Sequence, residues 1–279
     1  MAGFEARSVG REVISRSGTP QYRRTFEAEN PTAHLLLLHG IAEHTGRYLH
    51  VGATFAEAGF STLAHDHHGH GRSGGVRGHV PSFDTFLDDV EDNIAELRDS
   101  GLPVILFGHS MGGLIATAYG VSDRPQPDVL LLSGPALGAN VPQWQSISAP
   151  IIGRFAPKLF IKNSFDGSLL CANPAVWDQY QNDPLRVAGA TAGLGNELFI
   201  AMENTNKNLS NLSIPTLVQH GEIDRIVPVH FSEPFEKLPN ATRIVLPGLE
   251  HEILNEHSWP ETLATYIAFA NEVLQIPSN

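Results

Sequence analysis

The serine in Gly108-His109-Ser110-Met111-Gly112-Gly113 has a glycine two places before it and another two places after. Val104-Ile105-Leu106-Phe107 before it reads as a buried strand, and Leu114 to Val121 after it reads as a helix. A serine on such a sharp strand-to-helix turn takes a strained backbone. Neighbouring chain then comes too close for side chains at positions 108 and 112, a demand that glycine meets. The turn lifts the hydroxyl above the carboxyl ends of the strands and sets it at a helix N-terminus, where developing negative charge is favoured. Gly-x-Ser-x-Gly arises by chance in many chains; the strand and helix around it give it meaning here.

A serine hydroxyl is a weak nucleophile and needs a base, which a carboxylate must orient. Among fourteen histidines, position selects His251. It follows the last strand pattern, Arg243 to Leu246, in a loop that reaches the top of the sheet. His230 and His257 lie beside helical stretches and read as solvated polar residues. For the carboxylate, Asp224 follows the strand Thr216 to His220. Glu222 competes but falls in the turn itself, and Asp128 precedes a strand, at the wrong end of the sheet. Serine, acid and histidine thus occur in the order Ser110, Asp224, His251. The oxyanion of an acyl-transfer intermediate needs two backbone donors, and the expected pair is the amides of Met111 and Ile41. The four histidines of His65-Asp66-His67-His68-Gly69-His70 have metal-ligand spacing. A strand-end turn with alternating faces is expected to scatter their rings, so no metal is expected; the segment reads as a turn motif packed near the active-site floor, and the chemistry needs no other cofactor.

The elements that must hold these residues alternate between strand and helix. Gly3 to Phe26 reads as two short strands around a turn at Ser17 to Pro20, and His34 to His39, closed by Gly40, as a strand buried on both faces. Tyr48 to Ala58 reads as a helix closed by Gly59, and Ser61 to His65 as a strand. Phe83 to Arg98 is a helical stretch with apolar residues at spacings of three and four, and Val129 to Leu132 is a strand. The rhythm breaks between about 136 and 211, a loop-rich block with short helical patterns and several prolines. It then resumes with the strands Thr216 to His220 and Arg243 to Leu246, a helix near His230 to Glu236, and a last helix, Trp259 to Leu274. This pattern predicts an α/β fold: a mostly parallel central sheet with helices on both faces. Residues 1–135 and 212–279 form the core, and 136–211 a cap inserted into it.

The bulk numbers exclude other classes. Lys plus Arg is 18 against 30 for Asp plus Glu, a formal net charge of −12. Such a chain makes a poor nucleic-acid binder, and only apolar surface would hold it to a membrane. The single cysteine, Cys171, permits no internal disulfide and fits a reducing compartment. The start carries Arg7, Arg11 and Arg16 but no apolar signal segment, and the longest pure apolar run is Leu35 to Leu38. The expected location is the cytoplasm, with peripheral membrane contact left open.

At the same residues the chain resembles the monoacylglycerol lipases. His39-Gly40-Ile41-Ala42-Glu43-His44-Thr45-Gly46-Arg47-Tyr48 is similar to their HGxxEHxxRY block, and Asp66-His67-His68-Gly69-His70-Gly71-Arg72-Ser73 to their DxxGHGxS turn. Gly108 to Gly113 resembles their nucleophile turn, and Tyr180 with Asp183-Pro184-Leu185 a cap motif. His220-Gly221-x-x-Asp224 and His251-Glu252-x-x-Asn255-Glu256 match their acid and base segments. The likeness runs in order along nearly the whole chain and is weakest over Val141 to Asn173. The family carries arginine where His68 stands. The resemblance implies an α/β-hydrolase fold and an enzyme that cleaves one fatty acyl ester from glycerol. The acyl chain would lie in an apolar tunnel under the cap and the glycerol in a narrower polar pocket. Glu43 and Arg47 would order that pocket and the oxyanion loop, or form only a buried ion pair.

In the cap, Trp144, Ile147, Ile151, Ile152, Phe155, Leu159 and Phe160 form an apolar helical pattern with Arg154 and Lys158 interspersed. Most of that face is expected to pack on the core and line the tunnel, with a part at the mouth meeting lipid aggregates. A lysophospholipase or broad carboxylesterase is the alternative enzyme. A serine nucleophile disfavours dehalogenase and epoxide hydrolase chemistry, whose nucleophile is a carboxylate. A ligand-binding protein on the same fold would have no need of all three of Ser110, Asp224 and His251.

Overall fold

The computed structural model describes residues 2–139, 152–162 and 169–277. Eight strands form one sheet: β1 (Val9–Ile14), β2 (Pro20–Phe26), β3 (Ala33–Leu38), β4 (Phe60–His65), β5 (Val104–His109), β6 (Val129–Ser133), β9 (Thr216–Gly221) and β10 (Ala241–Leu246). Their spatial order is β1-β2-β4-β3-β5-β6-β9-β10. β1 and β2 join in antiparallel fashion at one edge, and β4, β3, β5, β6, β9 and β10 run parallel.

Parallel strands need crossover helices, and these cover both faces. Alternate residues of one strand point to opposite faces, so the strands feed two separate cores. Leu36, Leu38, Leu106, Leu130 and Leu132 pack with Phe86, Val90 and Ile94 of α3 (Asp84–Arg98) and Leu114, Ile115 and Tyr119 of α4 (Met111–Gly120). Leu35, Leu37, Ile105, Phe107 and Leu131 pack with Val51 and Phe55 of α2 (Leu49–Glu57) and Leu263, Tyr266 and Ala270 of α7 (Trp259–Leu274). The unbroken Leu35 to Leu38 run is the signature of that two-sided burial. A four-residue helix, α1 (Ala2–Glu5), precedes β1, a 3₁₀ turn (Thr45–Tyr48) leads into α2, and a 3₁₀ stretch (Val229–Lys237) links β9 to β10.

Between β6 and β9 lie β7 (Phe160–Lys162), α5 (Pro174–Asn182), β8 (Gly189–Thr191) and α6 (Ala192–Asn208). The sequence reads this block as loop-rich with only short helical patterns, yet α6 runs for 17 residues. Its glycines and asparagines are weak helix formers. Tertiary packing overrides them: Leu194, Leu198 and Ala201 join the core beside α4, and the Thr191 side chain caps the Leu194 amide. A second departure concerns the apolar pattern. Trp144, Ile147 and Ile151 lie outside the described residues. Ile152 is half-buried, but Phe155 is 81% exposed, and Leu159, Phe160 and Ile161 are exposed as well. The expectation that this face packs on the core fails for these residues. Among the described residues β7 pairs only with β8, in a two-stranded ribbon apart from the main sheet, and its side chains are exposed.

Candidate active site

Ser110 stands between β5 and α4 with φ 53° and ψ −116°, a conformation that side-chain-bearing residues rarely adopt. Its amide bonds the Ser133 carbonyl at 3.0 Å, and its carbonyl accepts from Leu114 and Ala136, so the strain is held on both sides. The glycines are sterically required. A Cβ on Gly108 would lie 2.3 Å from the Gly112 carbonyl oxygen, and one on Gly112 would lie 2.2 Å from that of Leu38.

His251 follows β10, and its Nε2 lies 2.9 Å from Ser110 Oγ. Its Nδ1 lies 2.6 Å from Asp224 Oδ2, a carboxylate that can only accept, so Nδ1 carries the proton and the Nε2 lone pair faces the serine. Asp224 follows β9; its Oδ1 accepts from the Ile226 and Val227 amides at 2.9 and 2.8 Å. All three side chains are buried. Burial pushes the Asp224 carboxyl up, but the His251 charge, hydrogen bonds from His220 and His251 and the Val227 amide overcome it, and Asp224 sits well below the usual carboxylate range. Burial pulls His251 down, yet Asp224, by charge and hydrogen bond, and the charges of Glu252 and Glu43 leave it raised above 6.5. The sequence brings these three together from three loops, all at the carboxyl ends of parallel strands.

The loop after β3 closes the other side. A Cβ on Gly40 would fall 3.3 Å from the Ser110 Cβ, so the peptide that Ile41 continues lies against Ser110. Met111 is the first residue of α4, and its amide has no helical carbonyl behind it to bond. Ala42 has φ 65°, and its carbonyl accepts from the Val187 amide at 3.2 Å. Asp66 supports the same loop: Oδ1 accepts from the Thr45 amide and Oδ2 from the Arg72 amide, each at 2.7 Å. His44 meets Asp183 at 2.7 Å, which ties the resemblance-derived cap motif to this loop.

Glu43 and Arg47 are buried and paired. Arg47 Nη1 donates to Glu43 Oε2 at 2.6 Å, and Glu43 Oε1 accepts from the Gly40 amide and the Tyr48 hydroxyl, both at 3.1 Å. The expected scatter of the four histidines holds only for His68, whose ring lies against Gly75. His65, His67 and His70 gather with His39 in one buried cluster, with His39 and His67 ring centroids 4.2 Å apart. The turn of Gly69 and Gly71, both at positive φ, folds His70 back onto His67 and His39. His67 Nε2 donates to the His39 carbonyl at 3.0 Å, and His39 Nδ1 to that of Gly40 at 2.7 Å, so the cluster buttresses the Gly40 loop.

Sequence reasoning singled out neither His220 nor Glu252 for a role, nor Gly134. His220 Nε2 lies 3.2 Å from Asp224 Oδ2. A Cβ on Gly134 would sit 3.5 Å from His251 Nδ1. His220 and Glu252 lie within the two segments that resemble the family's acid and base segments, a signal that could have singled them out; nothing in the sequence marks Gly134.

Such an arrangement can pass a proton from a hydroxyl to an imidazole and stabilise the imidazolium that forms, as acyl transfer requires. A family model described as serine aminopeptidase, S33, matches residues 29–258. A monoacylglycerol lipase of Mycolicibacterium smegmatis is 36% identical over 81% of this chain and 84% of its own length. The chain belongs to this family, in its monoacylglycerol lipase branch. The crystal structure of a monoacylglycerol lipase from Paleococcus ferrophilus superimposes on this family member with a TM-score of 0.82 at 31% identity, covering 91% of this chain and 98% of the other. Phospholipase YtpA of Bacillus subtilis is 29% identical over 90% of this chain and 99% of its own. The fold is that of the α/β-hydrolases, and this member of the branch is a carboxylic ester hydrolase.

Proposed function

We propose that this chain hydrolyses the acyl ester of monoacylglycerols through an acyl-enzyme on Ser110. What supports this most is the hydrogen-bonded chain from Ser110 Oγ through His251 to Asp224, at 2.9 and 2.6 Å. In this reading Ser110 Oγ attacks the ester carbonyl carbon while its proton passes to His251 Nε2. The Ile41 and Met111 amides hold the oxyanion. As the tetrahedral intermediate collapses, the imidazolium gives its proton to the departing glycerol oxygen. Water then attacks the acyl-enzyme, its proton goes to His251, and the second collapse returns that proton to Ser110 and frees the fatty acid. Asp224 keeps its negative charge throughout.

The test is Ser110→Ala on a monoacylglycerol and on a nitrophenyl ester. The expected loss is roughly 10⁴-fold or more in kcat. Because the base must be neutral and is held above 6.5, kcat/KM of the wild type should rise along an acid limb centred above that value. Appreciable esterase activity in the variant sinks the proposal. The likeness to a phospholipase keeps lysophospholipid as a second substrate reading, and rates on monoacylglycerol, diacylglycerol and lysophosphatidylcholine separate the two.

Residues 136–211 serve, in the same proposal, as a cap over the site, with 1–135 and 212–279 as the core. Phe155, Leu159, Phe160 and Ile161 are exposed beside Arg154, Lys158 and Lys162, a composition suited to the boundary of a lipid aggregate. Among the described residues no helix is long and apolar enough to cross a membrane.

A further inference from the structure

Glu252 follows His251 directly, and the triad does not use it. Its side chain is 3% exposed. Arg47 reaches it with both arms, Nη1 to Oε1 at 2.6 Å and Nη2 to Oε2 at 2.7 Å, and Asn255 Nδ2 adds a third bond at 2.9 Å. The same Nη1 of Arg47 holds Glu43 Oε2, and Glu43 Oε1 holds the amide of Gly40. An unbroken line of bonds thus runs from the residue after the base to the loop that carries Ile41. The backbone completes it: the Glu252 amide bonds the Leu170 carbonyl at 2.6 Å, and Glu256 accepts from the Ala172 amide at 3.0 Å.

Stability is a poor reason for such a cluster. Two carboxylates around one guanidinium leave a net negative charge in the interior, and apolar residues of like volume commonly replace buried ion pairs without loss. What the cluster supplies is a fixed distance, because a bidentate guanidinium fork tolerates little movement. It also supplies a charge beside the base. His251 is faced by Asp224 from the loop after β9, Glu43 from the loop after β3, His109 at the end of β5, and its own neighbour Glu252. Glu252 in turn is faced by Arg47, Tyr48, Glu43, His109 and Cys171.

We propose that Glu252 is a positioning residue: through Arg47 and Glu43 it locks the loop bearing His251 to the loop bearing Gly40 and Ile41, so that base and oxyanion donors hold one geometry. The role rests on the assignment of Ser110 and His251 made above. It also gives the acidic residue of His251-Glu252-x-x-Asn255-Glu256 a function separate from the histidine's.

The experiment compares Glu252→Gln and Glu252→Asp with wild type on a soluble short-chain monoacylglycerol, measuring kcat, KM and the pH profile, with thermal melts alongside. Glu252→Gln keeps the volume and loses the charge. Its kcat should fall about tenfold to a hundredfold with KM nearly unchanged. Its acid limb should move to lower pH, because one negative charge that favours protonated His251 is gone. Glu252→Asp keeps the charge and shortens the arm, so the limb should stay in place while kcat still falls. A wild-type kcat and an unmoved limb in Glu252→Gln overturn the proposal, as does a lowered melting point with no kinetic change. Should Glu252→Gln fail to fold, Glu252→Asp carries the test, and wild-type kcat there overturns it. Labelling of Ser110 by a fluorophosphonate separates the two levels. Stoichiometric labelling with an unaffected Glu252→Gln refutes this role alone, whereas no labelling of the wild type refutes the nucleophile assignment beneath it.

Discussion

Asp224 Oδ2 receives two ring nitrogens, His251 Nδ1 at 2.6 Å and His220 Nε2 at 3.2 Å. His220 Nε2 also faces the Val227 carbonyl at 2.8 Å. With only acceptors before it, that nitrogen must carry a proton, and it shares it between the two. His220 Nδ1 lies 2.9 Å from Ser232 Oγ, which Arg243 Nε bonds at 2.8 Å. His220→Ala removes one donor from the acid. Asp224 then becomes more basic and favours protonated His251 more strongly, so the acid limb of kcat/KM should move to higher pH, opposite in sign to Glu252→Gln. The Val227 carbonyl and Ser232 would lose a partner, at a stability cost of about 1–3 kcal/mol. A pH profile superimposable on wild type would leave His220 a packing residue only. The sequence places this histidine at a strand end. It does not say that the ring turns back onto the residue four places later.

At the scale of elements, the strand-to-helix turn and the β7–β8 ribbon differ in how far local pattern reaches. The turn at Ser110 is legible because its steric demand falls on positions two residues away: Gly108 and Gly112 have neighbouring backbone oxygens at 2.3 and 2.2 Å from a would-be Cβ. The ribbon is not legible, because an apolar run does not reveal whether anything covers it. The observed exposure of Phe155 and Leu159 makes a measurable claim. The chain should co-sediment with neutral phosphatidylcholine vesicles, its charge of −12 giving it no attraction to anionic ones. The double variant Phe155→Ser, Leu159→Ser should lose roughly tenfold or more in partitioning. Its rate on a soluble nitrophenyl ester should stay near wild type. Equal partitioning of the two proteins would mean that this surface does not meet lipid.

For the whole molecule, the buried histidines set the response to acid. Burial holds His39, His65 and His67 well below 6.5, His70 down to about 4 and His109 down to about 3. In the unfolded chain these rings protonate near 6.5, so they contribute stability above that pH and lose it as pH falls toward their folded values. The slope is about 1.4 kcal/mol per pH unit for each ring. Asp89 acts the other way. Burial pushes its carboxyl up to about 7, so the folded state takes up that proton first and gains as pH falls toward 3.8. His251, raised in the fold, also favours the folded state on the acid side. The lowered histidines outnumber both. The urea midpoint should therefore drop steeply between pH 6.5 and 4.5, with further loss below about 4 as Asp224 and Glu252 protonate. A midpoint that stays level from pH 7 to 5 would show these rings to be solvated.

The amino-acid sequence by itself determined the alternation of strands and helices, the turn at Ser110, and the chain order of the three residues proposed as nucleophile, acid and base, because each depends on spacing within a few residues. It also favoured Asp224 over Glu222 as the partner of His251, and Asp224 is the carboxylate that His251 Nδ1 meets, since distance from a strand end is local information. Only the tertiary structure decided the partners across long separations. Arg47 meets Glu252 205 residues away, and His44 meets Asp183 139 away. The fold likewise gathered His65, His67 and His70, which strand alternation was expected to scatter, around His39, and it drew α6 into the core against its own weak propensity. Spacing along a chain fixes where a side chain leaves the backbone. What that side chain touches depends on how the strands are ordered in the sheet, which no local pattern states.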